Sequence, residues 1–201
     1  MSKFTRLFLL TLSLLLVSNL SKAQIYPTAN EVKPLLIGQK LADATLQNIN
    51  GKDVNLQSLI SQKPSVVVFY RGGWCPYCNA QLSGLAQIEK EVTDLGYQII
   101  AISPENFQNI PDVAKKDKVS YTLLSDKGAE LIQKTGIAFK MPENYETMLS
   151  SKVKGGLTPI LPVASVFFLN KSGEITFEYI NPDYKHRLSG EMLLAVLKTL
   201  K

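Results

Sequence analysis

The chain has 201 residues, 45% hydrophobic and 19% charged, with two cysteines and one histidine. That length supports one domain with a sizeable core and leaves too little for two comfortable ones. The formal charge of +5 falls to +2 once Lys3, Arg6 and Lys22 of an expected leader are set aside, and no clustered basic face remains, which excludes a nucleic-acid partner.

Residues 1–23 read as a secretory signal peptide. Lys3 and Arg6 give the positive start, residues 7–17 a short apolar run, and Ser21-Lys22-Ala23 a small-x-small cleavage site that puts the mature start at Gln24. The apolar run is well short of the roughly 20 residues a spanning helix needs. The expectation is a periplasmic or extracellular protein with no membrane contact after cleavage. Residues 24–36 read as an extended, weakly structured tail limited by Pro27 and Pro34, ahead of a single domain over 37–201.

Asn50-Gly51-Lys52 between two short runs, 42–49 and 53–56, signals a β-hairpin, and 57–61 adds a turn of helix. Residues 65–70, Ser-Val-Val-Val-Phe-Tyr, suit a central strand buried on both faces. Gly72-Gly73 breaks that strand. From Pro76 to Leu95 the apolar residues Leu82, Leu85, Ile88, Val92 and Leu95 follow one helical face, and Gly96 terminates it. Residues 97–102 make a second buried strand, 105–117 a polar helix irregular at Pro111, and 121–124 a third strand. Asp126 caps a helix running to Lys134, which Gly136 ends. Residues 138–161, with Pro142, Gly155, Gly156 and Pro159, read as a long irregular excursion holding at most a helix near 145–151, and long loops of this kind are functional or mobile. Residues 163–169 and 174–180 form a second hairpin, and Leu188, Met192, Leu193, Val196, Leu197 and Leu200 share one face of a closing helix. Strand–helix–strand units followed by a hairpin make an α/β fold: a mixed central sheet flanked by helices, with an N-terminal β-hairpin. A Cys-x-x-Cys at the end of the first central strand makes that fold thioredoxin-like.

Both cysteines, Cys75 and Cys78, lie where that strand hands over to a helix. Closing so short a loop stabilises a fold by about 2 kcal/mol at best, against about 3 for a loop of some 15 residues, so a purely structural disulfide is disfavoured. Thiolate, not thiol, is the nucleophile, and a helix start favours the charged form. Pro76 suits the first helical position, and Gly72-Gly73 leaves room for a substrate backbone. Trp74 covers one side of the site or closes the helix against the sheet, roles that are compatible. Arg71 either stabilises a thiolate or orients a peroxide, or points to solvent. His186 is far away in sequence from the pair, and two cysteines with one histidine fall short of the four ligands of a structural zinc site, so no metal is expected. No glycine-rich signature follows a strand, so no nicotinamide or flavin cofactor is expected either.

The stretch Arg71-Gly72-Gly73-Trp74-Cys75-Pro76-Tyr77-Cys78, with Leu161-Pro162-Val163 and Asn181-Pro182-Asp183-Tyr184 further on, resembles the peroxiredoxin-like branch of the alkyl hydroperoxide reductase/thiol-specific antioxidant (AhpC/TSA) family over roughly residues 35–201. The resemblance implies a thioredoxin-like fold and thiol-based redox activity. Counted from Tyr70, the peroxide-attacking position of that family falls on Cys78, its threonine on Cys75 and its Glu/Gln on Gln81. Against thioredoxins and glutaredoxins, Cys75 is instead the attacking thiol and Cys78 the resolving one. Arg71 replaces the family's proline, Ala164 stands where a proline usually precedes the strand, with Pro162 two residues earlier, and Arg187 is the remaining candidate for the arginine that activates peroxide. The expected activity is reduction of hydrogen peroxide or organic hydroperoxides through a Cys75–Cys78 disulfide, recycled by a thioredoxin-like or other dithiol reductant. The alternatives are a thiol–disulfide oxidoreductase acting on exported proteins, and a non-catalytic interaction module that uses the excursion as its surface.

Overall fold

The computed structural model describes residues 24–200, so the expected signal segment lies outside the described residues. A seven-stranded sheet of order β2-β1-β5-β4-β3-β8-β9 forms the middle layer. Its strands are β1 (Thr45–Gln47), β2 (Asp53–Asn55), β3 (Ser65–Phe69), β4 (Gln98–Ser103), β5 (Thr122–Ser125), β8 (Ala164–Leu169) and β9 (Ile175–Asn181). β3, β4 and β5 run parallel, and the hairpins β1–β2 and β8–β9 add antiparallel strands on either side. Among the described residues no helix is long and apolar enough to cross a membrane.

The continuous apolar run of β3 is explained by its central place. Val66, Val68 and Tyr70 enter the core on one face, under α2 (Pro76–Gln87), α3 (Glu89–Asp94), α4 (Ile110–Asp117) and α7 (Gly190–Thr199). Val67 and Phe69 enter the other, under α1 (Leu56–Ile60) and α5 (Glu130–Lys134). Alternate side chains of one strand thus feed two cores, the reason no polar residue interrupts it.

Four expectations need correction. The single helix over 76–95 is two, because Ile88 leaves helical geometry (φ −106°, ψ 6°) between α2 and α3. Gly190, at the start of α7, approaches so closely that a Cβ there would lie 3.2 Å from the Ile88 side chain. The excursion is not irregular throughout: β6 (Ala138–Lys140) and β7 (Ile160–Pro162) pair antiparallel at its two ends, and α6 (Glu143–Leu149) lies between them. On the closing helix Met192 (55% exposed) and Leu200 (40%) lie outside the buried stripe, which consists of Leu193 and Leu197 with Leu188 just before the helix.

The fourth correction concerns the tail. Tyr26 is buried, bridges to Phe139 in parallel, and exchanges backbone hydrogen bonds with Ala138 and Lys140 at 2.9 Å each way. Lys33 and Leu35 donate backbone hydrogen bonds to Gly136 and Thr135. The tail is extended but docked, adding a third partner to the β6–β7 ribbon. Tyr26→Ala is therefore expected to lower unfolding free energy by about 3 kcal/mol in urea titrations, the cost of emptying a buried aromatic site; a change below about 0.5 kcal/mol would mark the segment as peripheral.

Candidate active site

The site is built where β3 ends. Tyr70 extends the pairing with a 3.0 Å backbone hydrogen bond to Ile102. Gly72 then turns the chain at φ +149°, where a Cβ would fall 2.5 Å from the Trp74 ring nitrogen and 2.7 Å from the Glu105 carboxyl carbon. Cys75 follows as the N-cap of α2, with extended backbone angles, and Pro76 takes the first helical position. The turn is held on both sides of Gly73: its N–H donates to Glu105 Oε2 at 2.7 Å, and its carbonyl accepts from Asn79 Nδ2 at 2.9 Å.

In place of the usual capping oxygen, the Cys75 sulfur accepts the Cys78 backbone N–H at 3.4 Å. Both thiols are reduced and buried, Cys75 at 1% exposure and Cys78 at 0%. Cys75 is lowered to about 6, first by a hydrogen bond from the Cys78 side chain, then by the Cys78 N–H and the charges of Arg71 and Arg187 working against burial. Burial pushes Cys78 the other way, and donating to Cys75 adds to that. The two shifts describe one proton: it rests on Cys78, and the pair carries a single negative charge centred on Cys75. Arg187 places a cation against the partner sulfur, its Nη2 donating to Cys78 Sγ at 3.3 Å and its Nη1 to Gln81 Oε1 at 3.3 Å, while its Nε anchors on the Tyr184 carbonyl at 2.7 Å.

Arg71 does not point to solvent. It is 3% exposed, and its guanidinium carbon lies 4.8 Å from the Trp74 ring centroid, 4.9 Å from that of Tyr145 and 4.2 Å from that of Tyr184. Three ring faces hold a desolvated cation where the family pattern has proline. Trp74 meets Tyr145 of α6 in a tilted ring pair at 5.7 Å and packs against the sheet-face core and the excursion's own small core, so it closes the helix and covers the site at once. Tyr77, between the cysteines, meets Tyr184 edge-on at 5.6 Å.

Arg71, Trp74, Cys75, Pro76, Cys78, Gln81 and Arg187 thus converge, as the sequence places them near one strand end, with Arg187 arriving across 109 residues. Pro162 sits in β7 opposite Ala138, next to Leu161, which lines a small cavity with Arg71, Trp74 and Glu105. His186 is exposed and bonds Asp183 at 2.9 Å. Glu105, Asn79, Tyr145 and Tyr184 were missed as site residues. The signal for Glu105 was its place just after β4, beside β3, because the strand ends of parallel sheets gather functional groups on one edge.

The fold and the paired thiols define a peroxiredoxin-like protein of the thioredoxin superfamily. Its fold is shared with the peroxidoxin BcpB of Mycobacterium tuberculosis, at a TM-score of 0.64 and 20% identity over 82% of this chain and 97% of that one. It is shared also with reduced Prx3 of Vibrio vulnificus, solved in complex with hydrogen peroxide, at a TM-score of 0.69 and 17% identity over 81% and 99% of the two chains. The sequence profile of the AhpC/TSA family matches residues 37–177, and the chain belongs to that family. Among its relatives are the putative peroxiredoxin bcp of Haemophilus influenzae, 28% identical over 53% of this chain and 68% of that protein, and the chloroplastic peroxiredoxin Q of Sedum lineare, 27% identical over 78% and 75%. The rice peroxiredoxin Q is 26% identical, and the match spans 64% of its length.

Thiolate formation, followed by ultraviolet absorbance in the reduced protein, should have a midpoint near pH 6, move upward in Arg71→Met and vanish from that range in Cys75→Ser. A single midpoint near that of a free thiol, about 8.5, would contradict the shared-proton geometry.

Proposed function

We propose that the chain is a thiol-dependent peroxidase that reduces hydroperoxides through Cys78, with Cys75 as the partner sulfur. The observation that carries this reading is Arg187, bonded to both Cys78 Sγ and Gln81 Oε1, because it sets a cation where charge develops as an O–O bond breaks. Cys75 thiolate takes the Cys78 proton. The Cys78 sulfur attacks one peroxide oxygen, the O–O bond breaks, and the leaving alkoxide or hydroxide is protonated, leaving a sulfenic acid on Cys78. Cys75 then attacks that sulfur, the S–O bond breaks, and water departs with the Cys75 proton as the Cys75–Cys78 disulfide forms. An external dithiol, thioredoxin-like or otherwise, returns two electrons and two protons. Since both sulfurs are buried, peroxide reaches them when the Tyr77–Tyr184 cover or the first turn of α2 moves. The proposal includes export, on the strength of the leader-like residues 1–23.

The low value of Cys75 at the helix start favours a second reading, a thiol–disulfide oxidoreductase in which Cys75 attacks protein disulfides. Arg187→Met separates the two. The peroxidase reading expects thiol oxidation by hydrogen peroxide to slow by about a hundredfold, the scale for losing one charge-stabilising donor, with dithiothreitol reduction of the disulfide affected far less. An unchanged peroxide rate, together with protein mixed disulfides accumulating on Cys75 in Cys78→Ser, would favour the oxidoreductase.

A further inference from the structure

Oxidising a pair that holds one thiolate and one thiol consumes a proton. The balance is Cys–S⁻ plus Cys–SH plus ROOH plus H⁺, giving disulfide, ROH and water. The site's negative charge disappears in the process, and the cations of Arg71, itself buried, and Arg187 lose the charge they face unless another group takes it over. The neighbourhood of Cys75 contains such a group, unused by the steps above.

Glu105 is 6% exposed and lies two residues past the end of β4. Its Oε2 accepts the Gly73 N–H at 2.7 Å, and its carboxyl fills the space beside Gly72. Among the described residues it has no ion-pair partner within 4 Å. The groups facing it are few. Arg71 and Cys75 approach from the active-site turn, with Tyr70 at the strand end behind them. Asp112 and Lys116 of α4 and Lys152 of the excursion share with it a cleft of about 200 Å³ that also borders Gly73 and Trp74. Arg71 is held by its three rings, and Asp112 pairs with Lys154 at 2.7 Å. Burial, with the Cys75 charge adding, pushes Glu105 up to about 7, so its proton and the Cys75 charge coexist near neutral pH.

We propose that Glu105 is the proton store of the redox cycle. Its carboxyl is protonated while Cys75 is a thiolate, gives that proton to the group that leaves the oxidant (the alkoxide or hydroxide, when the O–O bond of a hydroperoxide breaks), and recovers one through the cleft when the pair is reduced. The negative charge passes from sulfur to carboxylate and back, and the buried site keeps a constant total. This rests on the Cys75–Cys78 cycling proposed above, but not on peroxide being the oxidant.

The test is an equilibrium titration of the full-length protein against oxidised and reduced dithiothreitol across pH, reading free thiols after acid quench. Dithiothreitol exchanges two protons with its two electrons. A wild-type pair that binds two protons on reduction gives an exchange constant changing less than about twofold between pH 6 and 7, whereas Glu105→Gln, binding one, gives a rise of about fivefold over that interval. Glu105→Asp, which keeps an acid, should return towards the wild-type curve. Glutamine still accepts the Gly73 N–H, so a role confined to holding the turn would leave the Glu105→Gln curve on that of wild type and overturn the proposal. A fivefold rise in wild type itself would overturn it too, without any variant needing to fold. Failure of the peroxidase reading leaves this titration intact; a chain that never forms the disulfide removes the redox cycle and the proton store together.

Discussion

Two sulfurs on one helical turn share one proton, and the rest of the structure is arranged around that sharing. Both cysteines are buried, so the charge they hold is sustained by groups of the protein: the Cys78 N–H in the first turn of α2, the cations of Arg71 and Arg187, and the S–H of the partner itself. A single buried thiolate without such company would be forced towards the neutral thiol. The pairing removes that penalty and leaves each sulfur a different chemistry, since Cys75 carries the charge and Cys78 faces Arg187.

The layers outside the sheet serve this arrangement. The excursion is tied down by its β6–β7 ribbon and by side chains of the segment after β4: Asn109 exchanges hydrogen bonds of 3.0 Å with the Lys154 backbone, and Thr158 donates to the Pro104 carbonyl at 3.1 Å. Thus fixed, it brings Tyr145 against Arg71 and Trp74. The segment after β9 supplies Tyr184 and Arg187 from the opposite side. An arginine in place of the family's proline makes sense in this setting, because three aromatic rings convert a desolvated cation into a packed part of the cover.

What could be read from the sequence was local. The all-apolar 65–70 run, the Asn-Gly and Ser-Gly turns, and a cysteine before proline at a helix start each carry their own signal within a few residues. What escaped depends on contacts between distant segments. Three-residue strands β6 and β7 show no periodicity and exist because they meet each other, and the tail is ordered because Tyr26 meets Phe139. The break at Ile88 was invisible because apolar spacing runs straight through it, and the interruption comes with the close approach of α7. Arg187 was recognisable as a candidate, but its position against Cys78 is set by the path of β9 and the loop beyond, which no spacing encodes. Glu105 looked like one more charge at the start of a polar helix; only its burial against Gly73 sets it apart.

The division of labour between the two sulfurs is tested most directly by trapping sulfenic acid with a carbon nucleophile and locating it by peptide mass spectrometry. Wild type, Cys75→Ser and Cys78→Ser should be compared after one equivalent of hydrogen peroxide. The account predicts a trapped adduct on Cys78 in Cys75→Ser, little adduct in Cys78→Ser, and a Cys75–Cys78 disulfide in wild type. An adduct on Cys75 in Cys78→Ser, formed as fast as wild type loses its thiols, would contradict it.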